Sequence, residues 1–457
     1  MIANSAELTA AGMSDLRALA LRVAIAGLAA CDVGRATAET VALTDGGITV
    51  DGREYALKPD ARVIVVGSGK ATLAVAAALE RILGARLDGG AVVVRHAAET
   101  IPLERVEVLT ADHPLPSRRS AAAAQRVIEL TEGLGPDDLV LASFTGGSSA
   151  LTCLPPAGVS LEEKRLVHEL LLGSGAPIID VNAVRKHVSA LKGGRLAALI
   201  APARLVNLTV SDVAGDVLDA ITDPTVQDTS TVADALAVLH ERRLWDKLPE
   251  SVRDHLGTDA AYSPALDVEP QTVLLVTGAG VCEAMAAEAR AAGVNAHVVS
   301  TELEGEASVV GRELAELALS CARLGGPVAP PCVLVGCGGE STVTLQVNGT
   351  NGAFGGGGPN QEAAVAVAMA LGEGAAVSAC FLDTDGSDGG TAAAGAIVDG
   401  HSARRALEAG IDLADAIATH RSGDALAGLK DVIVTGPTQT NVNDMFVIAV
   451  GSGEGAL

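Results

Sequence analysis

Short runs of apolar, mostly β-branched residues recur along the chain, and segments with helical periodicity separate them. The strand-like runs in the first half begin at Arg62, Ala91, Val106, Asp138 and Val206. The helical segments between them cover residues 73–83, 120–131 and 161–171. Strands that alternate with helices in this way predict an α/β fold with a parallel sheet.

The region before this alternation carries its own pattern. Residues 15–31 predict an amphipathic helix. A signal peptide is a poor match, because Arg17 and Arg22 interrupt the apolar part of this segment. The segment 46–57 predicts a short hairpin that turns at Asp51 and Gly52.

A polar stretch at 220–270 separates the first half from a second α/β pattern, and we place the main domain boundary there. The run TVLLV from Thr272 is predicted to open the second domain. A long helix is predicted after Pro359. Further strands are predicted from Asn295, Cys332, Ser341, Ala375, Lys430 and Met445.

Composition narrows the class of protein. The chain has 457 residues, which indicates two or three domains, and its formal charge of −24 disfavours nucleic acid and anionic membranes as partners. The sequence has no apolar run near the roughly 20 residues that span a bilayer. The seven cysteines show no CxxC spacing, which predicts a reduced, cytoplasmic protein without a zinc site. In so acidic a chain, clustered Lys and Arg residues point to anionic ligands.

A glycine-rich stretch, GGGGPNQE at 355–362, precedes an apolar run that predicts a helix with Pro359 in its first turn. Uncovered backbone amides at a helix start attract anions. Shortly afterwards, Asp383, Asp385 and Asp388 offer the oxygen ligands that hold magnesium beside phosphates. The two segments together suggest phosphoryl transfer, whereas the glycines alone are also typical of a flexible loop.

The segment GSGKAT, 67–72, places Lys70 between a buried strand and a helix, where α/β proteins bind ligands. The segment fails the Walker A pattern at Ile64 and the dinucleotide fingerprint at Thr72, because each position would need a glycine. A solvated surface lysine is the alternative interpretation of Lys70.

The segment FTGGSSAL, 144–151, repeats the geometry of a strand followed by a glycine-rich turn. Ser148 and Ser149 could donate to a phosphate or to a substrate carboxylate. The GxSxG pattern of a nucleophile elbow is absent from this segment. A tight turn is the alternative, and it explains the glycines but not both serines.

The densest basic cluster lies at 180–197. It contains Arg185, Lys186, Lys192 and Arg195. In a chain with this net charge, the cluster favours anion binding over an ordinary solvated helix face. His187, by contrast, is more typical of a structural histidine.

Polar residues also follow the later strands. Asp212 in SDVAGD lies at the carboxyl end of a predicted strand and could act as a base or hold a metal, with an Asx turn as the alternative. Glu340 lies at a turn between two strands, and the loop 435–444 carries Asn441 and Asn443.

Taken together, these segments resemble the class II glycerate kinase family in their order and spacing from about residue 15 to the end of the chain. The segments are VVGSGKAT, NAVRKHVSALKGGRLA, SDVAGD, GGESTV, GGPNQE, DTDGSDG and TGPTQTNVND. The resemblance implies a Rossmann-like parallel-sheet first domain over 1–265 and a smaller mixed α/β second domain over 266–457, with a MOFRL-type region at about 330–450. It also implies ATP- and magnesium-dependent phosphorylation of D-glycerate at the 2-hydroxyl, giving 2-phosphoglycerate, in a cleft between the domains.

The motifs and the resemblance together assign roles to individual positions. The expected catalytic residues are Lys70 at the transferring phosphoryl group, Asp212 as the base for the hydroxyl, and Arg185 and Lys192 at the substrate carboxylate or phosphates. Contacts to substrate or phosphate are expected from Gly69, Ser148, Ser149, Asn182, Asn360 and Glu362. Contacts to the nucleotide are expected from Gly357, Gly358, Glu340, Asn441 and Asn443, and magnesium is expected at Asp385 and Asp388.

Two departures from the family pattern leave alternatives open. Some members carry an arginine where this chain has Pro359, and members commonly have SGPT where this chain has Thr222 to Thr225 with the additional charge of Asp223. The competing interpretations are a reductase of hydroxypyruvate or tartronate that uses NAD(P)H, a kinase of another sugar acid, and a nucleotide-binding protein without catalysis. The expected partner is a small-molecule sugar acid, and a homodimer is compatible with the sequence but is not determined by it.

Overall fold

A computed structural model describes residues 2–96, 101–210, 221–344 and 356–453. The chain divides into two compact units. The Rossmann unit is Val33–Leu275, and the mixed-sheet unit combines Met1–Asp32 with Val276–Leu457. The sequence-based division assigned residues 1–32 to the first domain, whereas in the structure they belong to the second unit.

The bounds of the elements are as follows. The strands are β1 (Val41–Thr44), β2 (Gly47–Val50), β3 (Arg53–Ala56), β4 (Val63–Ser68), β5 (Gly89–Arg95), β6 (Val106–Ala111), β7 (Leu139–Phe144), β8 (Arg204–Val210), β9 (Gln271–Val276), β10 (Asn295–Ser300), β11 (Gly305–Glu306), β12 (Cys332–Cys337), β13 (Ser341–Thr342), β14 (Val377–Asp383), β15 (Gly395–Asp399), β16 (Val432–Ile433) and β17 (Asp444–Val450). The helices are α1 (Ser5–Ala10), α2 (Ser14–Ala30), α3 (Val33–Thr40), α4 (Thr72–Leu83), α5 (Arg118–Thr131), α6 (Ser148–Leu151), α7 (Leu161–Leu172), α8 (Ile178–His187), α9 (Arg195–Ile200), α10 (Val232–Glu241), α11 (Glu250–Leu256), α12 (Gly278–Ala291), α13 (Ala307–Ala322), α14 (Pro359–Ala370), α15 (Ser402–Glu408), α16 (Leu413–Ala418) and α17 (Ser422–Leu429).

The central sheet of the Rossmann unit has the strand order β6-β5-β4-β7-β8-β9. The pairs β4-β5, β4-β7, β5-β6 and β7-β8 are all parallel. Counted from β4 as the first strand, this is the order 3-2-1-4-5-6 of dinucleotide-binding domains. The predicted Rossmann-like first domain is therefore confirmed. Strands β4 and β7 are buried along their whole length, as their continuous apolar runs predicted.

The strand from Thr272 corrects one expectation. We predicted that it would open the second domain, but β9 lies at the edge of the first sheet. An apolar strand fits either neighbour equally well, because its sequence does not specify which sheet edge it joins. The polar stretch before it is also part of the Rossmann unit, where α10 and α11 bury Val238, Leu239 and Val252 in a core shared with α7 and α8.

Several helices of the Rossmann unit begin with recognisable caps. Ser117, Ser160 and Thr231 each form a capping box at the start of α5, α7 and α10. The basic segment 180–197 is divided between two helices. Helix α8 ends at His187, and α9 begins at Arg195 after Gly193 and Gly194, which both have positive φ.

The mixed-sheet unit contains a six-stranded sheet in the order β10-β12-β17-β14-β15-β16. The pair β10-β12 is parallel, and the pairings of β17, β14, β15 and β16 are antiparallel. The predicted mixed α/β second domain is confirmed. Helix α14 packs against α13 and the sheet and buries mainly alanine and valine side chains, which permit close packing in a chain with few aromatics.

The N-terminal helix α2 packs against α12 and β17 of the same unit. Arg17, which argued against a signal peptide, is fully buried there. Its Nε donates to Asp399 Oδ2 at 2.5 Å and its Nη1 donates to Asp431 Oδ1 at 2.8 Å. Two buried carboxylates thus compensate the charge that interrupts the apolar pattern.

All seven cysteines lie among the described residues and are buried free thiols. Across the parts of the chain that the structure describes, none of the helices has the length and apolar character needed to cross a membrane.

Candidate functional site

The loops after β4 and β7 meet at the point where the strand order of the Rossmann sheet reverses. Lys70 N donates to Gly146 O at 2.9 Å, and Ala71 N donates to Thr145 Oγ1 at 3.1 Å. In open α/β sheets, ligands bind in the crevice at this topological switch point. The structure therefore brings the two glycine-rich turns together at the edge where a ligand is expected.

Gly69 makes this close approach sterically feasible. Its φ is 129°, and a Cβ atom there would lie 2.3 Å from Thr145 Oγ1 and 2.6 Å from Thr145 O. A larger residue would push the two loops apart. Lys70 lies directly after Gly69, between β4 and α4, as the sequence predicted, and its side chain is exposed.

The turn after β7 presents the two serines as the start of α6. Gly147 adopts a left-handed conformation, and Ser148 follows as the first residue of the helix. Ser149 Oγ is buried and accepts or donates no hydrogen bond within the described residues. An unpaired buried hydroxyl is unfavourable, so Ser149 Oγ is available for a ligand atom.

His113, which the sequence analysis did not select, also lies at this edge. A Cβ atom on Gly147 would lie 3.3 Å from His113 Cδ2, so the imidazole stands directly against the turn that carries the serines. Burial lowers the pKa of His113, and the charges of Lys70, Arg95 and Arg185 lower it further. Its position just after β6 is the signal that could have found it, because the same strand-end argument selected Lys70.

The basic cluster on α8 contributes Asn182 and Arg185. Arg185 Nη1 donates to Asn182 Oδ1 at 3.3 Å, while Arg185 Nε is buried without a hydrogen-bond partner in the described parts of the chain. Burial lowers the pKa of Arg185. The guanidinium therefore retains hydrogen-bonding capacity for an anion.

Lys192 lies deeper, with 1% of its surface exposed. Its Nζ donates to Thr152 O at 3.4 Å, just beyond the serine turn. Burial lowers the pKa of Lys192 to about 7, with Lys164 and Arg185 lowering it further and Asp223 acting in the opposite direction. Arg185 and Lys192 are thus electrostatically coupled, as expected for two residues of one anion site.

The other two residues of the basic cluster have structural roles. Lys186 Nζ forms an ion pair with Asp228 Oδ1 at 2.6 Å. Arg195 donates to the carbonyl oxygens of Lys186, Lys192 and Ala261. Their charges hold the chain together around α8 and α9.

Asp223, the negative charge by which this chain departs from the family pattern, is buried next to Lys192. Its carboxylate accepts hydrogen bonds from Thr225 N, Thr225 Oγ1 and Asn207 Nδ2 at 2.7 to 2.9 Å. Burial raises the pKa of Asp223, against the lowering effect of these hydrogen bonds and of Lys192. The additional charge is therefore engaged inside the protein. Asp212, the predicted base, lies outside the described residues.

In the mixed-sheet unit, four predicted residues line one pocket of about 470 Å³. They are Glu340, Gly357, Gly358 and Glu362. His420 and Ser422, which the sequence did not indicate, complete the wall. His420 Nδ1 lies 3.3 Å from Glu362 Oε2, and burial raises the pKa of Glu362 against the lowering effect of His420. Ser422 Oγ is buried with no hydrogen-bond partner in the described parts of the chain.

The start of α14 differs from the anion site that the glycine run suggested. Pro359 is in its first turn as predicted, but Asn360 N and Gln361 N donate to the two carboxylate oxygens of Asp388 at 3.1 and 2.8 Å. A Cβ atom on Gly358 would lie 2.3 Å from Asp388 Oδ1, so this glycine permits the carboxylate to approach. These helix amides are therefore capped from within the protein.

Asp388 is 1% exposed, and burial raises its pKa to about 7, with Asp444 raising it further. Asn360 Nδ2 bridges the two carboxylates at 3.3 Å from Asp388 Oδ1 and 2.5 Å from Asp444 Oδ1. These contacts suit a helix cap better than a ligand of Mg²⁺, which prefers ionised, accessible oxygens. The magnesium role of Asp388 stays a prediction that its surroundings do not support.

Asp385, Asn441 and Asn443 gather around the turn that leads into β17. Asn443 N donates to Asn441 Oδ1 at 3.3 Å, and the charge of Asp385 contributes to raising the pKa of Asp444, for which burial is the largest cause. Within the described ranges, which omit 211–220 and 345–355, no three His, Cys, Asp or Glu residues are arranged to hold a metal ion.

Comparison with known proteins identifies the family. Residues 19–257 match a family described as a domain of unknown function, and residues 332–444 match the MOFRL family. A glycerate 2-kinase from Pyrococcus horikoshii is 38% identical over 96% of this chain and 99% of the relative. The solved structure of a glycerate kinase from Thermotoga maritima superposes with a TM-score of 0.83 at 35% identity, over 94% of this chain and 98% of that one.

The chain belongs to the class II glycerate kinase family. A protein from Agrobacterium vitis that is 42% identical, over 86% of this chain and 88% of the relative, carries the provisional name hydroxypyruvate reductase. The family therefore includes both names that the sequence analysis weighed. In this chain, Thr72 occupies the position of the third glycine of a dinucleotide fingerprint, and its Oγ1 donates to Ser143 O at 3.1 Å.

Proposed function

We propose that this protein is a glycerate 2-kinase that transfers the γ-phosphoryl group of ATP to the 2-hydroxyl of D-glycerate and releases 2-phosphoglycerate. The observation that carries the proposal is the cationic edge of the Rossmann switch point. Lys70 and Arg185 lie there together with Ser149 Oγ and Arg185 Nε, two buried polar atoms without partners among the described residues. A small anionic substrate supplies hydrogen-bond acceptors for these two atoms.

Phosphoryl transfer requires positioning and charge compensation more than covalent chemistry. In the proposed reaction Lys70 neutralises charge on the transferring phosphoryl group, which lies in line between ADP and the acceptor hydroxyl. Arg185 and Lys192 bind the carboxylate of the acceptor. Ser148, Ser149 and Asn182 orient it through hydrogen bonds.

The proton of the acceptor hydroxyl has two candidate acceptors. Asp212 is the base that the family resemblance implies. His113 is the second candidate, because its lowered pKa keeps the imidazole neutral near pH 7 and it stands against the serine turn. Separate Asp212→Asn and His113→Gln variants distinguish them by which one loses turnover while retaining acceptor binding.

The pocket of the mixed-sheet unit is proposed to bind the nucleoside of ATP. Among the residues that the structure describes, the lining of this pocket includes Glu340 and Glu362 but no Lys or Arg. Such a lining is better suited to the hydroxyl and amino groups of the nucleoside than to the phosphates of ATP. Mg²⁺ is proposed to enter with the ATP phosphates, as in most kinases. The proposed transfer requires that the acceptor hydroxyl and the γ-phosphoryl group of ATP meet in line.

A single assay tests the proposal. The purified protein is mixed with D-glycerate and ATP-Mg²⁺, ADP is followed, and the product is passed to enolase, which dehydrates 2-phosphoglycerate but not the 3-isomer. ADP formation together with enolase turnover is expected. Oxidation of NADH with hydroxypyruvate, in the absence of ADP formation, would instead establish the reductase. A panel of longer sugar acids then defines the acceptor.

A further inference from the structure

A group of buried cations in the Rossmann unit extends beyond the residues assigned so far. Lys164 lies on α7 with 0% of its surface exposed, and His168 lies one helical turn further on the same face with 2% exposed. Lys164 Nζ donates to Val188 O at the end of α8. Neither residue stands out in the sequence, since α7 has the pattern of an ordinary amphipathic helix.

These residues share one electrostatic environment with the proposed acceptor site. Burial lowers the pKa of Lys164, and the charge of Arg185 lowers it further. Burial also lowers the pKa of His168, and the charges of Lys164, Arg185 and Lys192 act in the same direction. Lys164 Nζ also reaches the end of α8, the helix that carries Arg185, and Lys192 is equally buried just beyond that helix. Two lysines, one arginine and one imidazole therefore share a buried region, which we call the buried cation cluster: Lys164, His168, Arg185 and Lys192.

Among the residues that the structure describes, the buried cation cluster has few counter-charges. Asp223 and Cys153 favour the charged form of Lys192, but burial disfavours the charged form of Asp223. His168 Nε2 and Arg185 Nε are buried without hydrogen-bond partners in the described parts of the chain. Burying like charges together without counterions is strongly unfavourable, unless an anion is bound for part of the functional cycle.

We propose that the buried cation cluster is the binding site for the carboxylate of the acceptor, and that Lys164 and His168 are positioning residues of that site. The inference rests on the proposed function and names the part of the substrate that the cluster recognises. Arg185 and Ser149, at the partly exposed side of the cluster, contact the carboxylate. Lys164 lies beneath them and supplies positive charge without touching the ligand. His168 stays neutral and thereby avoids a fourth charge.

Removal of the Lys164 charge tests this assignment. Lys164→Gln keeps an amide donor towards Val188 O, and Lys164→Met fills the volume without a donor. The matched control is Lys58→Met, which removes an exposed lysine of the same unit that pairs with Asp137 at 2.6 Å. We expect both Lys164 variants to raise the KM for D-glycerate on the order of tenfold and to leave the KM for ATP unchanged.

Thermal unfolding gives a readout that does not depend on turnover. Saturating D-glycerate at fixed ionic strength should raise the melting temperature of the parent and of Lys58→Met by roughly 3 °C, and that of the Lys164 variants by much less. Without ligand, the Lys164 variants should melt at or above the parental temperature, because they relieve repulsion. His168→Asn, which is also uncharged, should retain the shift more fully than Lys164→Gln.

The outcomes separate this inference from the proposed function. Parental KM and parental melting shifts in Lys164→Gln would overturn the inference while leaving the kinase assignment intact. A parent that phosphorylates no sugar acid, but whose melting shift with D-glycerate is lost in Lys164→Gln, would overturn the kinase assignment and support the carboxylate site. If Lys164→Met does not fold, Lys164→Gln decides the question. If neither variant folds, Lys164 has a structural role and the inference is wrong.

Discussion

Two buried groups of charges in this protein are built in opposite ways. In the mixed-sheet unit, Arg17 is enclosed by the carboxylates of Asp399 and Asp431 and also donates to Leu8 O at 3.1 Å. In the Rossmann unit, Lys164 and Lys192 reach only backbone carbonyl oxygens among the hydrogen bonds that the structure describes for their Nζ atoms. Both groups are buried, but among the described residues only Arg17 forms ion pairs, whereas Lys164 and Lys192 form none.

This difference separates a structural from a functional use of buried charge. Burial would raise the pKa of Asp399, but the guanidinium of Arg17 holds it below its usual value, which is the sign of a stabilising pair. In the buried cation cluster, burial instead lowers the pKa of Lys192, which favours its neutral form. A buried charge that its surroundings destabilise is typical of a functional site, where a bound ligand of opposite charge compensates it.

The largest effect is expected from breaking the compensated group. Arg17→Met leaves Asp399 buried without its cation and leaves Asp431 paired with Arg405 alone, and we expect the free energy of unfolding to fall by about 3 kcal/mol or more. Denaturant unfolding measures this change. Arg22→Met, on the same helix, removes an exposed ion pair with Glu288 and should cost less than about 1 kcal/mol. Equal losses in the two variants would contradict the comparison.

Removal of Lys70 should affect catalysis without affecting stability. Lys70→Met removes the charge proposed to compensate the transferring phosphoryl group, and kcat should fall on the order of 10²- to 10³-fold. Because the side chain is exposed, the melting temperature should stay at the parental value. Lys58→Met again provides the control. Parental turnover in Lys70→Met would remove the central residue of the proposed site.

The pH dependence of acceptor binding sharpens the comparison further. With a pKa of about 7, Lys192 loses its proton in the free protein as the pH rises from 7 to 9. The buried charge of Lys192 destabilises the folded protein fully below pH 7. This destabilisation is lost progressively as the pH rises from 7 to 10.5, the ordinary pKa of a lysine. The KM for D-glycerate should therefore rise on the order of tenfold between pH 7 and 9, while the KM for ATP does not follow. Lys192→Arg should flatten this dependence, and a flat parental profile would argue against the role of Lys192.

The smallest effect concerns Asp388, a buried carboxylate that forms no ion pair with the residues that the structure describes. Asp388→Asn leaves a single acceptor oxygen for the amides of Asn360 and Gln361, so unfolding should become easier by about 1–2 kcal/mol. The Mg²⁺ dependence of turnover should not change. Asp385→Asn is the matched variant on the same loop. A tenfold weaker Mg²⁺ dependence in Asp388→Asn with unchanged stability would restore the predicted metal role.

Much of the fold could be predicted from the chain itself. The continuous apolar runs of β4 and β7 and the glycine-rich turns after them are local features, and they led to Lys70, Ser148 and Ser149. The same logic would have led to His113 had it been applied after β6. The strand β9 was misplaced, because a short apolar segment can extend either of two sheets.

The sequence by itself determined the family, the α/β alternation and the positions of the strand-end loops, because these depend on periodicity and on ordered local motifs. Only the tertiary structure decided which charged residues are compensated. Arg17 and Lys164 look alike in sequence, since each is a basic residue in the first turn of a helix. The carboxylates that pair with Arg17 come from segments hundreds of residues away, whereas Lys164 forms no ion pair with any residue that the structure describes. Long-range proximity sets the pKa and the role of a buried charge, and it is not encoded in local spacing.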